Sequence, residues 1–178
     1  MHADLDDALG DQQFLSLIGQ DTDVILSMVR NSRDCFKLLS ADGYLLFMNE
    51  CGIGIMEIDD PEKVLSARWS SLWPQEQQGL IDQAVAKAVR GEPVRFEGRC
   101  PTAKGREAYW DVTVMPVTNT EGDIVQLLAV SRDITQRFVL EERVRECEAE
   151  IERFKTRERL SAGVKHDDDH LSLSDGRC

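Results

Sequence analysis

Three strand-length runs stand in succession along the second half of the chain, roughly Val94–Cys100, Glu107–Val117 and Ile124–Arg132. The links between them, Lys104-Gly105 and Asn119-Thr120-Glu121-Gly122-Asp123, have turn chemistry. Earlier, Cys35–Leu39 and Tyr44–Met48 flank Ala41-Asp42-Gly43, and an Asp-Gly pair between apolar runs predicts a hairpin. Between the two strand groups lies a helical pattern over Gln75–Arg90. Its apolar face is formed by Leu80, Ile81, Ala84, Val85 and Ala88, and Gly91 is placed to stop it. Strands in two groups separated by helices predict an antiparallel α+β domain.

The connecting stretch from Asn49 to Trp73 is broken into short pieces. Asn49 is a suitable cap for a helical turn through Met56, and Asp60-Pro61 opens another. Trp69 and Trp73 stand four residues apart, just before Pro74. At the N-terminal side, Leu5–Ile18 and a segment from Asp21 or Thr22 to Asn31 read as helices. The second presents Val24, Ile25, Met28 and Val29 on one face. After Asp133 the period changes again. Leu140, Val144, Cys147, Ile151 and Phe154 recur at intervals of 4-3-4-3, the seam of a short coiled coil and so of a homodimer. Glu158 falls where the next seam residue would stand. The chain thus divides into a helical cap (1–31), a core (32–136), a coiled-coil helix (137–160) and a polar, disordered tail (161–178).

A formal net charge of -12 opposes binding to phosphate backbones or anionic membranes. The cationic stretch Arg143–Arg159 is interleaved with Glu and reads as a solvated helix face. No run reaches the ~18–20 apolar residues of a membrane span, and the acidic Met1–Asp7 is not a secretory signal. The five cysteines, Cys35, Cys51, Cys100, Cys147 and Cys178, are widely spaced without a CxxC pair, as expected of reduced cytoplasmic thiols. There is no G-x-S-x-G elbow, no phosphate-binding glycine loop beyond the weak Gly52-Ile53-Gly54, and no core histidine to serve as a base. His166-Asp167-Asp168-Asp169-His170 has metal-binding donor types but lies in a polar tail. Catalysis and a metal site are therefore not expected.

Taken together, particular segments resemble the PAS domains of bacterial signalling proteins. SADGYLLFMNECGIGIMEI is similar to their first hairpin and short helix, and SARWSSLWP to the segment before their long helix. GREAYWDVTVMPVTNTEGDIVQLLAVSRDIT is similar to their last two strands. Asp133-Ile134-Thr135 resembles the motif that joins a PAS core to its output helix, and the resemblance spans about Asn31 to Gln136. It implies a five-stranded antiparallel sheet in the order 2-1-5-4-3 with helices over one face. It also implies a space between the two layers where relatives hold haem, flavin or metabolites.

Haem relatives generally supply a histidine from the core, whereas His2, His166 and His170 all lie outside it. Photochemical flavin relatives carry a reactive cysteine in an Asn-Cys-Arg-Phe-Leu-like motif, and the matching Val64–Trp69 has none. A flavin without an adduct, stacked on Trp69 and Trp73, stays open beside a small ligand or none. Strand alternation puts Phe96 and Cys100 on one face with Val94 and Gly98, Trp110 and Val112 with Val114, and Ser131 with Leu127 and Ala129. These faces, with Trp69 and Trp73, form the candidate pocket.

The expected function is sensory. A ligand, redox change or partner would alter packing at the pocket, and the Asp133–Thr135 joint would pass the change to a dimeric helix that acts on a kinase or regulator. The alternatives are a sensor fragment of a longer histidine kinase or cyclase, a flavin redox sensor, and a ligand-free dimerisation module. The polar ending after Ala162 points to a free-standing protein.

Overall fold

The computed structural model describes the backbone of residues 22–167 and the side chains of 23–159; the expected Leu5–Ile18 helix and residues 168–178 lie outside them. Helix α1 (Thr22–Asn31) leads into β1 (Cys35–Ser40) and β2 (Leu45–Met48). The hairpin is closed by the Gly43 N–H donating to Ser40 O (2.9 Å) and the Ser40 N–H donating to Tyr44 O (2.9 Å). Helix α2 (Glu50–Ile55) and the 3-10 turns Pro61–Lys63 and Trp69–Leu72 follow, then α3 (Gln75–Ala88). Strands β3 (Val94–Arg99), β4 (Tyr109–Thr118) and β5 (Ile124–Asp133) complete the sheet, and α4 (Thr135–Asp167) follows them.

All strand pairs are antiparallel, and the order is β2-β1-β5-β4-β3, as the resemblance implied. The first and last strands of the sequence order thus meet at the centre, with Cys35 opposite Ser131 and Lys37 opposite Ala129. One sheet face is buried: Leu39, Leu45, Val112, Val114, Leu127 and Ala129 pack against Ile81, Ala84 and Ala88 of α3. The other face is half-buried at Phe36, Leu38, Leu128 and Val130. On the edge strand β3, Arg95 forks onto Asp111 (2.6 Å) and Arg99 onto Glu107 (2.6 Å). Strand β2, at the other edge, has only four residues and meets β1 through a bulge at Leu38/Leu39.

Two features of the connecting segment follow directly from residue chemistry. Asn49 is 1% exposed and satisfies its whole amide. Its Oδ1 accepts from the N–H groups of Gly52 (3.0 Å) and Phe36 (3.0 Å), and its Nδ2 donates to Val29 O (3.0 Å) and Asp34 O (3.1 Å). The N-cap expected at Asn49 is therefore also the tie between α1, β1 and α2. Gly98 has no side chain because Trp73 occupies that space; a Cβ there would lie 2.9 Å from its ring.

Two expectations need correction. Leu80, expected on the apolar face of the long helix, is exposed, because the buried stripe of α3 runs through Ile81, Ala84 and Ala88. The polar tail expected from residue 161 begins later: α4 continues through residue 160 to Asp167. Helix-forming residues and local pairs such as Arg137–Glu141 (3.0 Å) support an isolated helix whether or not its seam continues.

Candidate functional site

Between the buried sheet face and the segment from α2 to Trp73 lies a cavity of about 260 Å³. Its wall is mostly apolar, with Met48, Met56, Ile58, Val64 and Leu72 among its residues. The protein has three tryptophans, and all three line it: Trp69, Trp73 and Trp110. Each is held by backbone or ring contacts. The Trp69 N–H donates to Gly43 O (2.8 Å), and the Trp110 Nε1–H donates to Cys100 O (2.8 Å). Trp69 and Trp73 meet edge to face with centroids 6.1 Å apart, and Phe96 backs Trp73 at 5.9 Å.

Of the residues singled out from sequence, Trp69, Trp73, Cys100, Trp110 and Ser131 line the cavity. Phe96 and Val112 do not. Phe96 stands behind Trp73, and Val112 is fully buried within the sheet between its strand partners Phe96 and Ser131.

The wall also contains a residue that sequence reading passed over. Lys37 is only 6% exposed and lines the cavity, and its Nζ donates to Ser131 Oγ at 2.9 Å. The signal was the alternation of β1. Cys35, Lys37 and Leu39 share one face and Phe36 and Leu38 the other, and hydrophobicity alone favours turning the second set inward. Pairing of Cys35 with Ser131 selects the opposite face.

Cys100 is the cavity's thiol. Burial pushes its pKa up to about 11, against a weaker opposing pull from Lys37 and Arg99. Its Sγ donates to Leu72 O at 3.5 Å. A neutral, buried thiol is a poor nucleophile. We expect Cys100 to resist iodoacetamide at pH 8 in the folded protein, while the exposed Cys147 is alkylated; peptide mass mapping reads both, and equal labelling would contradict the burial. The sign for stability follows from the raised value. The folded state holds the Cys100 proton more tightly, so this contribution is complete below pH ~9 and fades as pH rises toward about 11.

Two routes lead from the cavity wall to the end of β5. Along the strand, Ser131 precedes Asp133 by two residues. Across the surface, the cavity-lining Thr102 hydroxyl donates to Glu57. Arg106 then meets Glu57 Oε2 (3.8 Å), Ile55 O (3.0 Å) and Asp133 Oδ2 (3.5 Å). At the joint, Asp133 Oδ1 accepts from the Thr135 N–H at 2.9 Å and also from its hydroxyl. The Thr135 Oγ1 in turn accepts from the Tyr109 N–H (3.0 Å), and the Ile134 N–H donates to Tyr109 O (2.9 Å). The first helical residue of α4 is thus fixed to β4 and to the end of β5.

Along α4, Leu140, Val144, Cys147, Ile151 and Phe154 are all exposed on the single chain, Phe154 by 67%. Among the described residues no group of His, Cys, Asp and Glu is arranged to hold a metal, and no helix is long and apolar enough to cross a membrane. The side chains of the His166–His170 cluster lie outside the described ones.

A five-stranded antiparallel sheet in this order, with helices enclosing a cavity on one face, is an α+β architecture with a ligand-sized space between its two layers. The chain belongs to the PAS fold family, whose model matches residues 29–138. The fold is shared with the PAS domain of a protein from Colwellia psychrerythraea (17% identity, 64% of this chain and 97% of that one, TM-score 0.57). It is shared too with the PAS domain of an HTR-like protein from Haloarcula marismortui (19%, 69% and 99%, TM-score 0.55). A third similar structure is a domain of a sensory box sensor histidine kinase/response regulator from Geobacter sulfurreducens (20%, 63% and 93%, TM-score 0.54). No curated protein sequence matches the chain.

Proposed function

We propose that this chain is a ligand-responsive PAS sensor that acts as a homodimer through α4 and passes its signal to a kinase or regulator in the bacterial cytoplasm. The observation that carries this reading is the shared strand: Ser131 lines the cavity, and Asp133, two residues on, holds the first residue of α4. A molecule that displaces Ser131 therefore acts on the strand that anchors the helix. The exposed 4-3-4-3 seam supplies the surface on which two copies would pack and turn. The Geobacter sulfurreducens relative, a domain of a sensor histidine kinase/response regulator, supports the choice of partner class.

The wall favours a small metabolite over haem or flavin. Its soft donors are Met48, Met56 and the protonated Cys100, and among the described residues it includes no imidazole. It also offers no side-chain amide for the donor and acceptor edge of a flavin. The volume lies below the ~300–1,000 Å³ usual for larger ligands.

The three tryptophans make occupancy directly readable. Screening a metabolite library by tryptophan emission is expected to find compounds that shift or quench it. The same compounds are expected to change the rate at which two copies form a Cys147–Cys147 disulfide under mild oxidation, measured in a Cys178→Ser background. A compound that fills the cavity without altering cross-linking would sever sensing from the helix. If no compound changes the emission, the ligand-free dimerisation module becomes the better reading.

A further inference from the structure

Lys37 is the anomaly of the cavity. Among all side chains lysine is one of the last to be buried without an ionic partner, because desolvating an ammonium is costly unless charge and hydrogen bonds are restored. Here the side chain is 6% exposed, and no carboxylate among the described residues forms an ion pair with it. Among the described residues its side chain has one hydrogen-bond partner, the Ser131 hydroxyl, a neutral group, and an ammonium has three protons to donate. The other polar groups of the wall do not supply the missing charge. Cys100 is held protonated, and the Thr102 hydroxyl is turned to Glu57. Nor does the fold require a lysine at this position. Its strand neighbours Met48 and Ala129 are apolar, as are the flanking inward residues Cys35 and Leu39.

The position of the amine is also informative. Lys37 stands opposite Ala129, and its side chain reaches diagonally to Ser131 on the adjacent strand. That places one cationic donor and one hydroxyl side by side on the sheet floor. The rest of the cavity offers thioethers, aliphatic groups and three indole rings. A polar pair of this kind in an apolar, aromatic chamber matches an amphiphilic guest: an anionic head on the floor and a flat or compact apolar body against the tryptophans. A planar carboxylate uses both partners at once, accepting from Lys37 Nζ through one oxygen and from the Ser131 hydroxyl through the other.

We infer that the cavity binds a small monocarboxylic acid with an apolar body, its carboxylate held by Lys37 and Ser131. This rests on the ligand-sensing reading above and adds the chemical class of the ligand. A dicarboxylate or phosphate ester is matched less well, because the wall holds a single cation among the described residues. Binding would supply the counter-charge that the protein omits, and Ser131 would exchange a bond to lysine alone for one shared with the guest.

The test uses matched pairs: benzoate, phenylacetate and indole-3-acetate against their primary amides, titrated into the whole protein at pH 7.5 and followed by tryptophan emission and calorimetry. At least one acid is expected to bind ten or more times tighter than its amide. The variant Lys37→Met, similar in length and without charge, is expected to abolish that preference while melting at or above the wild-type temperature, since a lone buried charge has been removed. Ser131→Ala is expected to weaken the same acid about three- to tenfold and its amide less. If acid and amide bind alike, or if Lys37→Met leaves the preference intact, the carboxylate assignment falls while ligand sensing stands. Binding of none of the six probes, with a response to some other library compound, also overturns the assignment and leaves the sensor reading in place. A Lys37→Met protein that melts well below wild type would make Lys37 a structural residue and overturn the proposal by another route.

Discussion

Replacing Asn49 with alanine is expected to destabilise the protein by about 3–4 kcal/mol, because four hydrogen bonds worth about 1 kcal/mol each are lost at a buried site. Against a total stability of about 5–15 kcal/mol this is a large fraction. The melting temperature of the folded unit should fall by roughly 10–20 °C. The effect exceeds that of an ordinary helix cap, about 1 kcal/mol, because Asn49 does more than cap α2. It satisfies the Phe36 N–H and takes the carbonyls of Val29 and Asp34. Asn49→Ser separates the two roles. Serine caps the Gly52 N–H but is too short to reach Val29, so it should recover only about 1 kcal/mol. Urea melts of the three proteins measure this directly; a serine variant as stable as wild type would mean that the outer three bonds contribute nothing.

The second large effect concerns assembly. Val144→Asp combined with Ile151→Asp should convert the proposed dimer to a monomer by sedimentation equilibrium or light scattering. Each seam residue buried in the dimer contributes about 1.5 kcal/mol or more. Two positions in each of two chains therefore account for at least about 6 kcal/mol, more than ten-thousandfold in the dissociation constant. Both side chains are exposed on the single chain, so the melting of the sheet and its cavity should be unaffected. A double variant that keeps the dimeric mass would place the interface elsewhere, and the half-buried outer sheet face at Phe36, Leu38 and Val130 would be the next surface to test.

Much of the architecture was legible because local chemistry and tertiary structure agree. The Asp-Gly turn, the Asn49 cap, the long helix before Gly91 and the alternation of β3, β4 and β5 are short-range signals, and each element formed close to its expected bounds. Strand order is not short-range. It depends on β1 docking beside β5, which no local pattern specifies and only the family resemblance implies. The same docking explains why Lys37 was missed. A charged residue in a half-apolar strand reads as solvent-facing, and only the register Cys35–Ser131 turns it inward. Leu80 erred in the opposite sense. A leucine on a helical face reads as buried, yet the rotation of α3 about its axis is set by the small residues Ala84 and Ala88 that let it approach the sheet. Phe96 and Val112 were on the correct side of the sheet, but facing a cavity requires empty space above a residue, and sequence carries no record of space.

The two outer strands bear on how copies of this chain can associate. A sheet edge is an open row of backbone donors and acceptors that can recruit further strands and begin a fibre. Here one edge is cut to four residues, and its register shifts at Leu38/Leu39. The other carries Arg95 and Arg99, already engaged with Asp111 and Glu107. A strand arriving at either side would find too few partners or a row of paired charges to strip. Open-ended growth by sheet extension is therefore disfavoured, and contact between copies is steered toward surfaces that close on themselves.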